Sequence, residues 1–296
     1  MLMGEHAVLH GRRALVCAVD QSIHVTLEPR SDSVIRIVSA LGEDESRVGE
    51  IQVRKPFTFI WEALRQMGAE IPGGCNLIVE SDFSHQVGLG SSAAVTVALC
   101  VLLRGWRGEE WDPLDIQKQA TTIIQSVQGR GSGADAAASV MGGIVEYRVQ
   151  PYKMESMRTV YPVSIVYCGY KTPTAEVIER VERERRARAA LFEGFFYEVD
   201  ECVRTAIDAI CRDEWEELGV CMDQNHALLR AMGVSDANLD RIVDAMRRDA
   251  GILGAKISGS GLGDCVLGLG ELKEWNEPYE RIPCAMSREG VRIEKV

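Results

Sequence analysis

The chain has 296 residues, of which 46% are hydrophobic and 26% charged, so it can bury a substantial core as one large domain or two medium ones. An excess of 44 acidic over 33 basic residues gives a formal charge of −11. Because that charge repels nucleic acid backbones and anionic membrane surfaces, we expect neither as a partner.

The first half of the chain predicts alternating strands and helices. "SIHVTLEP" has the two-residue period of a half-buried strand, which makes His24 a surface strand residue rather than a ligand. "PFTFIWEALRQMG" predicts a helix with a proline start and a glycine end, and "CNLIVES" predicts a strand. "WDPLDIQKQATTIIQSV" predicts a helix with Asp112 as its cap and Pro113 at its first position, and "GGIVEYRV" predicts another strand.

The second half is mostly helical by the same criteria. A strand, "VSIVYCGY", precedes a charged helical segment over residues 174–212, whose "ERVERERRARAA" run indicates a solvated face. A last helix is predicted from near Ser235 to Gly251. We therefore expect an α+β fold with two lobes and the active site in the cleft between them, with an N-terminal domain at 1–155 and a C-terminal domain at 156–296.

Cysteine spacing and apolar runs bear on the compartment. Nine cysteines include no C-x-x-C pair of the kind found in zinc or redox sites, so we expect reduced thiols. The longest apolar run, residues 93–103, is too short to span a bilayer, and no leader precedes it. These features favour a cytoplasmic protein.

The stretch "HQVGLGSSAAVTVALCVLL" places glycines and serines directly before an apolar helix. Gly88 and Gly90 allow a ligand to approach the backbone, and a helix starting near Ser91 directs unpaired amides and its positive dipole end at that point. The hydroxyls of Ser91 and Ser92 add donors or a metal ligand, as in loops that bind a magnesium nucleotide. The stretch predicts an anion site; the alternative is that Ser91 only caps a core helix.

Two further glycine-rich stretches follow. In "GRGSGADAAASVMGGIVEY", Asp135 comes directly after a flexible turn, where its carboxylate could orient or deprotonate a hydroxyl or could cap the next helix. In "GAKISGSGLGDCVLGLG", Gly259, Gly261 and Gly263 occupy alternate positions. They predict a backbone-lined wall of a ligand site, or a tight strand connection.

Four motifs together resemble the GHMP small-molecule kinases, and the mevalonate kinases among them. They are "GEHAVLHG" at 4–11, "GLGSSAA" at 88–94, "GSGADAAASVMGG" at 131–143 and "GAKISGSGLGDC" at 254–265, in the family's order and at its spacing. "MDQNHALLRAMGVSDANLD" at 222–240 also resembles a mevalonate kinase helix pair. The resemblance covers nearly the whole chain and implies an ATP- and Mg²⁺-dependent enzyme.

The resemblance also implies roles for individual residues. Asp135 would face the substrate hydroxyl, and Glu5, His6 and Thr174 would lie on the substrate side. Ser92 would hold the magnesium ion. The residues expected to bind the nucleotide are Gly88, Leu89, Gly90, Ser91, Ser92, Ala93, Gly259 and Gly261.

The chain departs from the family pattern in three places. Mevalonate kinases usually carry a magnesium-binding glutamate eleven residues before the aspartate, and here that position is Ile124. The motifs "GSGAD" and "GLGDC" are closer to those of phosphomevalonate kinases than to the "PSGID" and "GGGGC" that are usual in mevalonate kinases. The family's proline and lysine ahead of "GEH" have no counterpart in "MLMGEH", so we expect weak activity from this chain and a lysine a few residues upstream of Met1 in an extended reading frame.

We therefore expect phosphorylation of the hydroxyl of mevalonate to give 5-phosphomevalonate. The first alternative is a phosphomevalonate kinase or another GHMP kinase acting on a related acid or sugar. The second is a sensor that binds nucleotide and ligand with little catalysis. Association into a homodimer is left open by the sequence.

Overall fold

The computed structural model describes residues 1–68, 71–82 and 89–295. By their contacts, these residues form two compact units. The first unit contains residues 1–20 and 142–289, and the second contains residues 21–68, 71–82, 89–141 and 290–295. The division differs from the expected domains, since residues 1–20 belong with the second half of the chain. The boundary between 155 and 156 stays a prediction about the family's domains.

The second unit packs four helices with one four-stranded sheet. The sheet has the order β2-β5-β3-β4, with β3 and β5 parallel and the other neighbours antiparallel. Its strands are β2 (Ile23–Pro29), β3 (Val34–Ser39), β4 (Gly42–Arg47) and β5 (Cys75–Ser81). Its helices are α1 (Thr58–Met67), α2 (Ser91–Trp106), α3 (Pro113–Gln128) and α4 (Ala134–Met141).

Local sequence accounts for several of these elements. Asp112 is the N-cap of α3, where its side chain accepts hydrogen bonds from the amides of Leu114 and Asp115, and Pro113 is the first helical residue. His24 is exposed on β2, as its place in the alternating pattern predicts. Both expectations from the sequence are thus confirmed.

The first unit contains two antiparallel sheets. One has the order β1-β6-β7, formed by β1 (Ala14–Cys17), β6 (Ile144–Arg148) and β7 (Lys153–Ser156). The other has the order β11-β8-β10-β9, formed by β8 (Val163–Tyr167), β9 (Ile252–Ser258), β10 (Cys265–Gly270) and β11 (Glu280–Ile282). A short 3-10 helix, Ala7–His10, precedes β1.

Four helices complete the first unit: α5 (Thr174–Ala187), α6 (Ala189–Cys211), α7 (Trp215–Ala231) and α8 (Ala237–Arg247). The predicted helical segment at 174–212 is therefore two helices that meet at Arg188, whose φ of −137° is not helical. The last helix ends at Arg247 rather than at Gly251. Within the described ranges, no helix is long and apolar enough to cross a membrane, and all nine cysteines are free thiols.

Helix α7 lies against β9 at almost backbone-to-backbone distance. A Cβ atom on Gly219 would come 2.3 Å from the carbonyl oxygen of Leu253, and one on Gly254 would come 2.1 Å from that of Gly219. Only glycine fits at these two positions. The contact fixes α7 on the strand that leads into the third glycine-rich stretch.

We expect Gly219→Ala to lower the free energy of unfolding by about 2 kcal/mol or more, because the backbone it would strike cannot move aside cheaply. The matched control is Gly194→Ala, which lies in α6 at an exposed position with no atom within 4 Å of the added carbon. That change should raise stability by about 0.5–1 kcal/mol. Urea unfolding of both variants measures the difference, and equal stabilities would contradict the packing of α7 on β9.

Candidate active site

The start of α2 has the backbone geometry of an anion site. Gly90 is its N-cap residue, with a left-handed φ of 78°, and none of the described side chains caps the helix. Ser91 and Ser92, both half-buried, are the first two helical residues, so neither hydroxyl is used as a cap. The amides and the positive dipole end of this 16-residue helix face whatever lies before it.

The residues around this helix start differ in what they can offer a ligand. Ala93 is buried, and its amide donates to the carbonyl oxygen of Gly90 at 3.0 Å, so that amide is committed to the helix. Leu89 is half-buried and directly precedes Gly90. Gly88, the first glycine of the predicted cradle, lies outside the described residues.

Asp135 lies beside this helix start. It is the second residue of α4 and is exposed, and a Cβ atom on Gly90 would be 3.8 Å from its Cβ and 3.9 Å from its Cγ. A position inside the helix is not that of an N-cap, so the capping role is not what the structure shows. Within the described part of the chain, the carboxylate accepts no hydrogen bond. The fold thus brings together two predicted site residues 45 positions apart.

Side-chain amides of α3 fix the loop that leads to Asp135. Gln117 Nε2 donates to the carbonyl oxygen of Gly133 at 3.0 Å, and Gln125 Nε2 donates to that of Gly131 at 2.7 Å. Gly133 has a φ of 82°, and a Cβ there would come 2.3 Å from Thr121 Oγ1. These contacts hold the start of α4, and therefore Asp135, against α3.

Helix α3 lacks the magnesium-binding glutamate that the resemblance places at position 124. Ile124 is 8% exposed and belongs to the hydrophobic core. A buried carboxylate, Glu62 of α1, reaches α3 but accepts hydrogen bonds from Arg65, Gln66 and Ser126. Among the described residues, no group of three His, Cys, Asp or Glu side chains could hold a metal ion. Among the described residues at the start of α2, Ser91, Ser92 and Asp135 carry side-chain oxygen atoms of the kind that Mg²⁺ binds.

The hydrogen bonds that hold the Glu62 carboxylate between α1 and α3 can be tested through its pKa. The Arg65 guanidinium, followed by hydrogen bonds from Ser126 and Gln66, outweighs burial and lowers the pKa of Glu62 from 4.5 to about 2. A pKa that is lower in the folded state means that ionised Glu62 stabilises the fold above about pH 4.5, and that this stabilisation is lost as the pH falls toward 2.

We expect Glu62→Gln to reduce the free energy of unfolding at pH 7 by about 1–2 kcal/mol, because half-exposed Arg65 is partly screened by water. The gap from the wild type should close between about pH 4.5 and 2. Denaturant unfolding at several pH values measures it, with exposed Glu110→Gln as the control. A gap that does not change with pH would show that the Glu62 charge is not the stabilising element.

In the first unit, the "GEH" triplet forms a tight turn. Glu5 and His6 are buried, at 2% and 5% exposure, and His6 has a φ of 60°, which is rare for a residue with a side chain. His6 Nε2 lies 2.8 Å from the carbonyl oxygen of Ser260, and since a carbonyl only accepts, Nε2 carries the proton. Burial lowers the pKa of His6, while the hydrogen bond to Ser260 and the charge of Glu5 oppose this shift. The lowered pKa favours a neutral ring.

The third glycine-rich loop is fixed by close backbone contacts in the same unit. A Cβ on Gly261 would come 2.1 Å from the carbonyl oxygen of Val234, and one on Gly263 would come 2.9 Å from that of Tyr170. Gly259 also has a positive φ, of 88°, but an added Cβ there meets open space. Gly259 and Gly261 thus lie in the first unit, whereas Gly90, Ser91 and Ser92 lie in the second.

The segment before α5 holds this loop through a threonine that the sequence did not single out. Thr172 Oγ1 donates to the carbonyl oxygen of Leu262 at 2.5 Å, and Lys171 forms a 3.0 Å ion pair with Asp264. Thr174, the predicted substrate residue, is exposed at the first position of α5. The unusual aspartate of "GLGDC" is therefore held by a local lysine.

Comparisons with known proteins agree with the motifs. The family GHMP kinases N terminal domain matches residues 58–143, and GHMP kinases C terminal matches residues 206–281. A mevalonate kinase of Archaeoglobus fulgidus is 32% identical over 100% of this chain and 97% of that protein, and one of Thermococcus sibiricus is 30% identical over 100% and 96%. The crystal structure of the Methanococcus jannaschii mevalonate kinase has a TM-score of 0.80 at 26% identity, covering 96% of this chain and 95% of that one.

These similarities confirm the resemblance and the α+β fold class expected from the sequence. The two family matches fall on either side of the expected boundary between residues 155 and 156. The cleft between two lobes and the roles of individual site residues stay predictions.

Proposed function

Since the chain belongs to the GHMP kinase family, whose members use ATP, we propose that it transfers the γ-phosphoryl group of ATP to the hydroxyl of mevalonate and gives 5-phosphomevalonate. The observation that carries the proposal is similarity to mevalonate kinases over the whole chain, combined with Asp135 beside the Gly90 helix start. Phosphoryl transfer brings the nucleotide phosphates next to the acceptor hydroxyl, so a helix start that binds phosphates and an aspartate that acts on the hydroxyl must lie close together.

In this mechanism, the start of α2 binds the ATP phosphates. Backbone amides and the helix dipole stabilise their negative charge, and Ser91 and Ser92 add hydroxyl groups. We assign Mg²⁺ to this point, held by Ser92, where it would neutralise phosphate charge. We also assign Gly259 and Gly261 to nucleotide binding, as the resemblance implies.

Asp135 acts on the acceptor. It orients the hydroxyl or accepts its proton as the hydroxyl oxygen attacks the γ-phosphorus; the bond from that phosphorus to the β-bridging oxygen breaks, and ADP leaves. Its exposed carboxylate, free of hydrogen bonds to the described residues, is available for this role. The "GEH" turn and Thr174 are assigned to the substrate side.

ADP release from purified protein tests this function. We expect ATP- and Mg²⁺-dependent turnover with mevalonate, and at most a small fraction of that rate with phosphomevalonate, galactose or homoserine. Preference for phosphomevalonate would show a phosphomevalonate kinase. Nucleotide binding without turnover on any acceptor would support the sensor alternative.

A further inference from the structure

Lys256 of β9 is a charged residue with no exposure to solvent. Its side chain is 0% exposed, and its Nζ donates to Glu5 Oε1 and to the carbonyl oxygen of Ile257. Burial lowers the pKa of Lys256, while the charge of Glu5 opposes that shift. A buried ammonium is tolerated only with such partners.

The carboxylate of Glu5 depends on this one cation. Glu5 is 2% exposed, and within the described residues its second oxygen, Oε2, is buried without a hydrogen-bond partner. Removal of the ammonium would leave a buried carboxylate with no charged partner, which is more costly than removal of both charges.

The pair lies on a line of contacts between the start of the chain and the third glycine-rich loop. The amino group of Met1 donates to Ser258 Oγ at 3.1 Å, and His6 donates to the carbonyl oxygen of Ser260 at 2.8 Å. Lys256 and Glu5 form the charged contact of this series. Together these contacts hold His6 at its strained φ of 60°, a conformation that persists only where the surroundings fix it.

We propose that Lys256 is a positioning residue for the kinase reaction: it fixes Glu5, and through Glu5 the backbone of His6, while neither charge of the pair touches the substrate. This inference rests on the proposed function for its kinetic readout. It also changes the expectation for Glu5, which the resemblance assigns to the substrate side and which acts here as a buried support.

Three variants separate positioning from direct contact: Lys256→Met, Glu5→Gln and the double variant. We expect Lys256→Met to lower kcat/KM for mevalonate by on the order of 10²-fold, as misplacement of binding groups does. The double variant, which has no buried charge left, should recover to within about tenfold of the wild type. Lys153→Met, which breaks the pair between exposed Lys153 and largely buried Glu146 in the same unit, should leave kcat/KM unchanged.

Hydrogen exchange gives a readout that does not depend on the acceptor. Lys256→Met should increase deuterium uptake in residues 1–13 and 256–264, and the double variant should restore protection. A double variant with wild-type exchange but a kcat/KM still on the order of 10²-fold below the wild type would overturn the proposal, because the Glu5 charge would then act on substrate directly. Unchanged exchange in Lys256→Met would also overturn it. If the wild type is inactive with mevalonate but the variants show the expected exchange pattern, only the proposed function is refuted.

Discussion

Asp135→Asn is expected to lower kcat with mevalonate by on the order of 10²-fold or more, with little change in ATP binding. Asparagine keeps the shape of the side chain and removes the charge that orients the hydroxyl or accepts its proton. The change should not disturb α4, because the carboxylate is exposed and accepts no hydrogen bond from the described residues. Steady-state kinetics and nucleotide titration measure the two effects separately.

The matched control is Asp112→Asn, at the N-cap of α3. There the aspartate accepts two backbone hydrogen bonds, and asparagine caps a helix about as well as aspartate does. Asp112→Asn should therefore retain wild-type kinetics. Activity of Asp135→Asn within about threefold of the wild type would remove Asp135 from the catalytic residues.

Ser92→Ala is expected to produce the second large loss, on the order of 10²-fold in turnover, with a raised requirement for Mg²⁺. The hydroxyl is the ligand that we assign to the metal, and it does not cap α2, since Gly90 occupies the N-cap position. Alanine is a good helix former, so the helix itself should be retained. Initial rates over a range of Mg²⁺ concentrations measure the effect.

Thr122→Ala controls for the loss of a hydroxyl from a helix. Thr122 Oγ1 donates to the carbonyl oxygen of Lys118 in the same helix, at 2.9 Å, and the residue is exposed. This variant should show the wild-type Mg²⁺ dependence. If Ser92→Ala also retains the wild-type rate at limiting Mg²⁺, Ser92 is not a metal ligand.

Local signals in the sequence predict much of the second unit. The capped start of α3 and the apolar alternation of β2 depend on residues within a few positions of each other. The hairpin of β3 and β4 was not predicted, because the β4 residues "GEDESR" show no apolar alternation. This strand is held by its partner and by ion pairs such as Arg36–Glu43 and Arg54–Asp44.

The candidate site was predicted where each motif carries its own chemistry, as at Asp135 and Ser92. It was incomplete where the partner is distant in sequence. Lys256 and Glu5 are 251 positions apart, and nothing in either local sequence indicates that they pair. Thr172 was missed for a related reason, since its contact with the carbonyl oxygen of Leu262 spans 90 positions.

In the reaction that we propose, an alcohol oxygen of mevalonate receives the phosphoryl group. The most direct measurement is ³¹P NMR of purified protein incubated with ATP, Mg²⁺ and mevalonate. We predict one new phosphomonoester resonance that grows in equal amount with ADP and that grows on the order of 10²-fold more slowly with Asp135→Asn. ADP accompanied only by inorganic phosphate, or no new phosphomonoester at all, would contradict the claim.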